Sequence, residues 1–168
     1  MAERKAISFP AHDHDHDACL AEALWRAKTR CLDQGIKWTG LREQVFRHIA
    51  TSHKPVSAYE LIESLAKDGK RLAPVSVYRI LDVLRGAGLV HRLESRNAFF
   101  ACMAEHANAL QTVTVICDDC ERVTEIDPGD AYRAIREAAN AAHFYARDTV
   151  IEVSGVCAEC REGGGAPC

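Results

Sequence analysis

The 168-residue sequence predicts an α+β protein in which a winged helix-turn-helix precedes a small α/β unit closed by a metal ion. Three observations lead to this prediction. Short helical patterns in the middle of the chain are followed by two strand-like segments. Two Cys-x-x-Cys pairs flank a later segment, and charge is divided unevenly between these parts.

Apolar periodicity predicts four helices in the first part of the chain. The first covers Leu20–Leu32, and Thr39 caps the second. The third opens with the capping box Ser57–Glu60, and the fourth begins at Pro74 and stops at Gly86. Two short helices joined by a turn, here the third and fourth, are typical of a unit that places one helix in the major groove of DNA.

The distribution of charge supports a nucleic-acid partner. Residues 23–101 carry 14 basic and 7 acidic side chains, whereas residues 102–168 carry 5 and 12. A basic region of this kind favours binding to a polyanion. The predicted DNA contacts lie on the outer faces of the third and fourth helices: Tyr59, Ser76, Tyr78 and Arg79. An ordinary solvated helix face is the alternative interpretation.

A hairpin is predicted directly after the fourth helix. Its strands are Leu89–Glu94 and Ala98–Cys102, and Ser95–Asn97 supplies turn-forming residues. A symmetric turn centred between Arg96 and Asn97 would place His91 directly opposite Cys102. Opposed side chains on one face of a hairpin are close enough to share a metal ion.

The two Cys-x-x-Cys pairs predict a closed tetrahedral zinc site formed by Cys117, Cys120, Cys157 and Cys160. The alternatives are two disulfides or two dithiol redox pairs. The N-terminus lacks a long apolar stretch, which predicts a cytoplasmic protein with reduced cysteines and no membrane segment. The segment between the pairs is expected to fold as strand, helix and strand. Its helix, Asp127–His143, carries small apolar residues of the kind that pack against a sheet.

Several motifs together resemble the ferric uptake regulator family, and look most like its zinc uptake regulator branch. They are Thr39–Arg42, Ser57–Leu61, Val77–Leu81, Gly88–His91 and both Cys-x-x-Cys pairs, so the resemblance covers most of residues 20–160. It implies a flexible tail at 1–18, a winged-helix domain at 19–102 and a hinge at 103–111. A dimerisation domain at 112–161 and a second tail at 162–168 would follow.

The resemblance also implies two zinc sites in each subunit. The structural ligands fall on the four cysteines of the two pairs. The regulatory ligands fall on His91, Cys102 and Glu125, and a thiolate in this set favours zinc over harder ions. The branch usually has a second histidine where this chain has Leu110, so either the hinge takes another path and the nearby His106 is the fourth ligand, or another group completes the site.

The implied function is that of a zinc-responsive repressor, a homodimer that binds palindromic operator DNA of zinc-homeostasis genes and is not an enzyme. The alternatives are an iron, manganese or peroxide sensor of the same family and, more remotely, a zinc or dithiol enzyme. The N-terminal run of alternating His and Asp is interpreted either as a solvated tail or as a weak accessory metal site at His12, His14 and His16.

Overall fold

The computed structural model describes residue 9, residues 15–102 and residues 112–163. The predicted hinge, with His106 and Leu110, lies outside the described residues, as do His12 and His14. The elements in chain order are α1 (His16–Asp33), α2 (Gly40–Ala50), β1 (Val56–Ser57), α3 (Ala58–Lys67), α4 (Pro74–Gly86), β2 (Val90–Leu93), β3 (Ala98–Ala101), β4 (Val113–Cys117), β5 (Val123–Ile126), α5 (Ala131–Ala141), β6 (Ile151–Gly155) and α6 (Ala158–Glu162).

Local capping explains where the first helices begin. The side chain of Asp15 accepts a hydrogen bond from the amide of Ala18, so α1 starts within the segment that the sequence predicted to be a tail. Thr39 caps α2 as predicted. The capping box between Ser57 and Glu60 is also present, with both reciprocal hydrogen bonds at the start of α3.

Elements α1 to α4 enclose the main hydrophobic core. Helices α2 to α4 pack their predicted apolar stripes into this core, and β2 and β3 close one side of it. The prediction for α1 is wrong at Leu32, which is exposed, whereas Ala27 and Cys31 are buried as predicted. The side chains almost fully removed from solvent here include Cys31, Val45, Phe46, Ile49, Leu61, Leu65, Val77, Leu81 and Leu84. This core fixes the angle between α3 and α4, and therefore which residues of α4 face outward.

The register of the wing differs from the prediction. Strand β3 lies between β1 and β2, and His91 is opposite Phe100 rather than Cys102. The turn is centred one residue earlier than expected, and it closes with Asn97 in the left-handed region at φ 47°. Cys102 follows β3, and its amide donates to the carbonyl of Leu89. The hairpin itself is present as predicted.

The second unit is a three-stranded sheet in the order β5-β4-β6. Strand β4 pairs antiparallel with β5 and parallel with β6. The predicted packing of the intervening helix against this sheet is wrong for its small apolar side: Ala131, Ile135, Ala138 and Ala142 are exposed. Tyr132 instead holds α5 in place, since it is buried and its hydroxyl donates to the carbonyl of Thr112.

The wing packs directly on the second sheet. Leu93 and Phe100 of the wing form a buried cluster with Ile116 of β4 and Val123 of β5. The amide of Val123 also donates to the carbonyl of His53, in the loop after α2. These contacts form the interdomain seam, the boundary between the winged helix and the sheet β5-β4-β6. Within the described ranges, no helix combines the length and apolarity needed to cross a membrane.

Candidate metal centres and nucleic-acid interface

The structure brings the four predicted structural cysteines together. Their sulfur atoms all lie within 4.8 Å of one another. Cys117 ends β4, and the tight turn that follows it returns the chain to β5 with Glu121 in the left-handed region at φ 61°. Cys157 is the N-cap of α6, so Cys160 lies in the first turn of that helix. The two short segments thereby point both cysteine pairs into one pocket.

The donor set of this pocket fits a tetrahedral zinc ion. Zn–S bonds of about 2.3 Å place sulfurs roughly 3.8 Å apart. The sulfurs of Cys120 and Cys157 are 4.0 Å apart. That separation is far beyond the roughly 2.05 Å of a disulfide, and all four residues are free thiols in the structure. The geometry therefore disfavours the disulfide alternative.

The backbone prepares one of the four sulfurs to be a thiolate. Burial raises the pKa of Cys117, but backbone N–H groups of Cys120, Cys157 and Asp119 outweigh it and lower that pKa to about 6. One of these contacts, from the amide of Cys157, is 3.3 Å long. Burial and the neighbouring sulfurs raise the pKa of Cys160. A divalent cation that binds here would displace the remaining thiol protons and hold all four sulfurs as thiolates.

A second cluster lies at the interdomain seam. Ligand atoms of His91, Cys102 and Glu125 lie within 4.8 Å of one another. Two of these residues come from the wing region, and Glu125 comes from β5 of the opposite unit. The Nε2 atom of His91 is 3.2 Å from Oε1 of Glu125. An ion held here would bridge the two units of the chain.

Cys102 reaches this cluster in spite of the unexpected register. His91 pairs with Phe100, and the side chain two residues further along belongs to the same face of the hairpin. Cys102 is thus a diagonal neighbour of His91, at a spacing that side chains of this size can bridge. The ring of Phe100 packs beside His91 with centroids 5.6 Å apart, which limits where the imidazole can point.

Glu125 is the most enclosed member of the second cluster, with only 3% of its surface exposed. The hydroxyl of Thr112 donates to its Oε1 over 3.0 Å and fixes the carboxylate. A buried carboxylate and a thiolate together supply two negative charges, which a divalent cation would neutralise. One nitrogen, one sulfur and one oxygen donor fit zinc, because the sulfur disfavours harder ions.

The predicted DNA contacts are all at least partly accessible to solvent. Tyr59 near the start of α3 is 77% exposed, and Tyr78 and Arg79 of α4 are also exposed. Ser76 is half-buried. Val75, in the first turn of α4, is a large apolar residue that also faces solvent. Periodicity gave no reason to select it, although an aliphatic side chain at this place can contact a thymine methyl group.

Two further residues escaped the sequence analysis. The sulfur of Cys19 lies 4.0 Å from Nε2 of His53. The residues are 34 positions apart and belong to different elements, so no local spacing signals the pair. The ring of His16, at the start of α1, lies against the ring of His53. His16 was predicted only as part of a tail site with His12 and His14.

Comparison with known proteins gives a consistent relationship. A model of the ferric uptake regulator family matches residues 33–154. The zinc uptake regulation protein of Escherichia coli (strain K12) is 31% identical over 141 residues, which cover 84% of this chain and 82% of that protein. A solved zinc uptake regulator complexed with zinc and DNA has a TM-score of 0.78 and 30% identity, covering 88% of this chain and 98% of that chain.

One related protein, XcZur, has been solved in a holo form and in an apo form. Holo XcZur has a TM-score of 0.74 at 35% identity, covering 84% of this chain and 98% of that chain. Apo XcZur has a TM-score of 0.50 at 36% identity, covering 86% of this chain and 99% of that chain. The two identities are almost equal, so the difference in TM-score is one of conformation and not of sequence. The arrangement described here is closer to the holo form.

Proposed function

Because this chain belongs to the ferric uptake regulator family, we propose that it is a zinc-responsive transcriptional repressor. It binds palindromic operator DNA of zinc-uptake and zinc-homeostasis genes as a homodimer. The observation that carries the proposal is the convergence of His91, Cys102 and Glu125 across the interdomain seam. The similarity to solved zinc-bound relatives, one of them also bound to DNA, supports the same conclusion.

The cluster at the seam is the proposed regulatory site. Zinc supplies, when bound there, a coordinate cross-link between the wing and β5. His91 would offer Nε2, Cys102 its thiolate and Glu125 a carboxylate oxygen. His106 remains the proposed fourth ligand. The four cysteines of the other cluster form the proposed structural site and tie β4 to α6.

The switch follows from the geometry of a dimeric reader. Two recognition helices must stand about 34 to 36 Å apart, or at another spacing set by the operator. The winged helix can hold such a spacing only while its position on the sheet is fixed. Ligands drawn from both sides of the seam make that position depend on free zinc, so the competent fraction and the apparent operator affinity rise together.

The homodimer is supported by the apolar surface of the second unit. Val150, Val153 and Val156, on and around the edge strand β6, are exposed. Ile135 of α5 and Phe144 in the following loop are exposed as well. Several exposed large apolar side chains on and near an edge strand are typical of an interface between copies of one chain. The same unit would therefore set the distance between the two winged helices.

The proposed recognition element is α4. Arg79 would reach a guanine edge, while Tyr78, Ser76 and Tyr59 would contact bases or phosphates. No catalytic role is assigned to any described residue, and the family consists of transcription regulators. Both metal clusters are accordingly treated as binding sites.

Operator binding across buffered free zinc tests the function. The probe is a palindromic duplex selected from a random-sequence pool with zinc-loaded protein, and fluorescence anisotropy reports binding. We expect wild-type affinity to rise steeply with zinc. Among the described residues of the regulatory cluster, Cys102 alone supplies a sulfur donor, so Cys102→Ser should require at least about tenfold more free zinc.

Cys31→Ala is the matched control, because Cys31 is a described cysteine that belongs to neither cluster. It should respond to zinc like the wild type. Equal operator affinity for wild type and Cys102→Ser at every zinc concentration would exclude a regulatory site at the seam. Zinc-independent binding by both proteins would exclude the zinc-responsive function as well.

A further inference from the structure

A further group of metal-ligating side chains lies where the start of α1 meets the loop after α2, and no role has yet been assigned to it. It joins His16 and Cys19, one turn apart at the start of α1, to His53 in the loop between α2 and β1. We propose that these three residues form a third site for a zinc-like divalent cation, distinct from the structural and regulatory clusters.

Two of the three donors already lie at a spacing that suits one ion, and the third is close by. The sulfur of Cys19 and Nε2 of His53 are 4.0 Å apart, close to the roughly 3.5 Å between two donors of a tetrahedral zinc ion. The rings of His16 and His53 have centroids 5.4 Å apart and are tilted by 33°. Rotation of the exposed His16 side chain would turn a ring nitrogen toward the same point.

The surroundings of the cluster favour a fixed site over a chance contact. His53 is only 6% exposed, so its imidazole is held by its neighbours. Its carbonyl accepts a hydrogen bond of 2.9 Å from the amide of Val123, which anchors the loop to β5. The next residue, Lys54, approaches Glu121 to 3.5 Å. The loop that carries His53 is therefore tied to the sheet β5-β4-β6 at two points.

The chemistry of the donors selects the class of ligand. One thiolate and two imidazoles suit zinc and similar borderline cations, and disfavour magnesium and calcium. The charged neighbours of Cys19 on α1 are Glu22 and Arg26, which lie 3.9 Å apart and offset each other, so the donor atoms and not the local charge select the ligand. Burial raises the pKa of Cys19, so the free thiol is protonated at neutral pH and would give up its proton to bind metal.

The proposed site differs from a tail site made of histidines alone, because Cys19 and His53 are its enclosed members. It would fasten the start of α1 to a loop that already touches the second unit. The proposed site does not depend on the repressor function. Metal content is measured without DNA, so the two proposals can fail independently.

Zinc titration of the full-length protein tests the proposal. Competition with a chromogenic chelator gives the number of equivalents bound in each chain. We expect wild-type protein to bind one equivalent more than Cys19→Ser, and His16→Gln to weaken the same equivalent at least about tenfold. His16 is exposed, so its replacement leaves the fold intact even if a change at the enclosed Cys19 does not.

Cobalt absorption identifies the ligand that is involved. In a Cys102→Ser background with the four structural cysteines loaded with zinc, added Co(II) should still produce a thiolate-to-cobalt charge-transfer band. The band should disappear when Cys19→Ser is added. His143→Gln, which changes an exposed histidine of the second unit, should leave both readouts unchanged. Equal zinc equivalents in wild type, Cys19→Ser and His16→Gln, with no Cys19-dependent band, would overturn the proposal.

Discussion

The carboxylate of Glu125 illustrates how single residues set the properties of the seam. Burying a carboxylate costs several kcal/mol unless nearby groups compensate its charge. Here the hydroxyl of Thr112 and the imidazole of His91 lie at 3.0 and 3.2 Å from Oε1. A divalent cation bound by the same oxygen would add a much larger compensation. The buried carboxylate of Glu125 thus lies where a bound cation would stabilise it.

The hydrogen bonds between Ser57 and Glu60 lead to a prediction for the stability of the winged helix. The hydroxyl and amide of Ser57 both donate to the carboxylate of Glu60 over 2.7 Å. These hydrogen bonds lower the pKa of Glu60 below its ordinary 4.5. A lowered carboxyl pKa contributes stability above the unfolded value, and this contribution is lost as pH falls through the folded pKa. Glu60→Ala should therefore lower the free energy of unfolding by about 1 kcal/mol at pH 7.

The difference between wild type and Glu60→Ala should shrink as the pH is lowered below about 4.5, where the carboxyl group of the unfolded chain becomes protonated. Urea unfolding at several pH values measures it. Glu63→Ala is the matched control, an exposed glutamate of the same helix outside the capping box, and it should show a smaller and nearly pH-independent change. A constant Glu60→Ala difference from pH 7 to pH 3 would contradict the capping argument.

The wing register shows why the sequence predicted the seam cluster but not its details. Turn residues between Leu93 and Ala98 marked a hairpin, but they did not determine which residue enters the left-handed conformation. The turn formed one residue earlier, and this moved every cross-strand partner by two positions. A shift of two preserves the face on which each side chain lies. His91 and Cys102 consequently remain on one face, although they are not directly opposite.

At the scale of elements, the wing is bound to the sheet by polar as well as apolar contacts. The amides of Glu94 and Ser95, in the wing turn, donate to the carboxylate of Glu152 over 2.6 and 3.0 Å. Arg96 of the same turn lies 3.3 Å from Asp118, beside the first cysteine pair. Glu152 therefore fixes the tip of the wing on β6, away from the proposed regulatory ligands.

Glu152→Ala should weaken zinc-dependent operator binding without removing a metal ligand. Loss of two hydrogen bonds to a carboxylate costs about 1 to 2 kcal/mol, which corresponds to roughly 5- to 30-fold in affinity. Operator titration at saturating zinc measures this, and zinc content measured in parallel should be unchanged. Asp148→Ala, which alters an exposed acidic residue shortly before β6, is the control. If Glu152→Ala bound the operator as tightly as the wild type, the contact between the wing tip and Glu152 would not be needed to hold the winged helix in its DNA-binding position.

Helix α5 shows what apolar periodicity in a sequence cannot predict. Small apolar residues on one side of α5 predicted packing against the sheet of the same chain, yet that side is exposed. An amphipathic pattern reports that a face is to be buried, not which chain will cover it. Burial against a second copy gives the same sequence signal as burial within one subunit. The sequence therefore predicted the helix, but it could not predict that the sheet of the same chain leaves this apolar face exposed.

Across the whole molecule, the two units differ in charge and in the roles proposed for them. The basic winged helix carries the proposed DNA contacts, and the acidic second unit carries the structural cysteines and an exposed apolar surface. Motifs predicted both units because their ligands and caps are local in sequence. The seam depends on residues such as Leu93 and Val123, which belong to different units. Nothing in the local sequence pairs them, as with Cys19 and His53.

The apolar surface of the second unit gives the last prediction. Val153 on the edge strand β6 is 49% exposed in the single chain. In a twofold interface any substitution occurs twice, so Val153→Asp would place two carboxylates in an apolar contact. We expect a loss of at least about 2 kcal/mol of association free energy, or roughly 30-fold in the dimer dissociation constant. Sedimentation equilibrium of the zinc-loaded protein measures it.

Leu32→Asp is the matched control for this change. Leu32 near the end of α1 is also an exposed apolar residue, but it belongs to the winged helix. It should leave the dimer intact. A palindromic operator is bound by two winged helices joined in one dimer. Val153→Asp should therefore also lose operator affinity in proportion to the fraction of monomer. Its zinc at the four cysteines should be retained. A fully dimeric Val153→Asp protein would place the subunit interface elsewhere and leave the exposed face of β6 without that role.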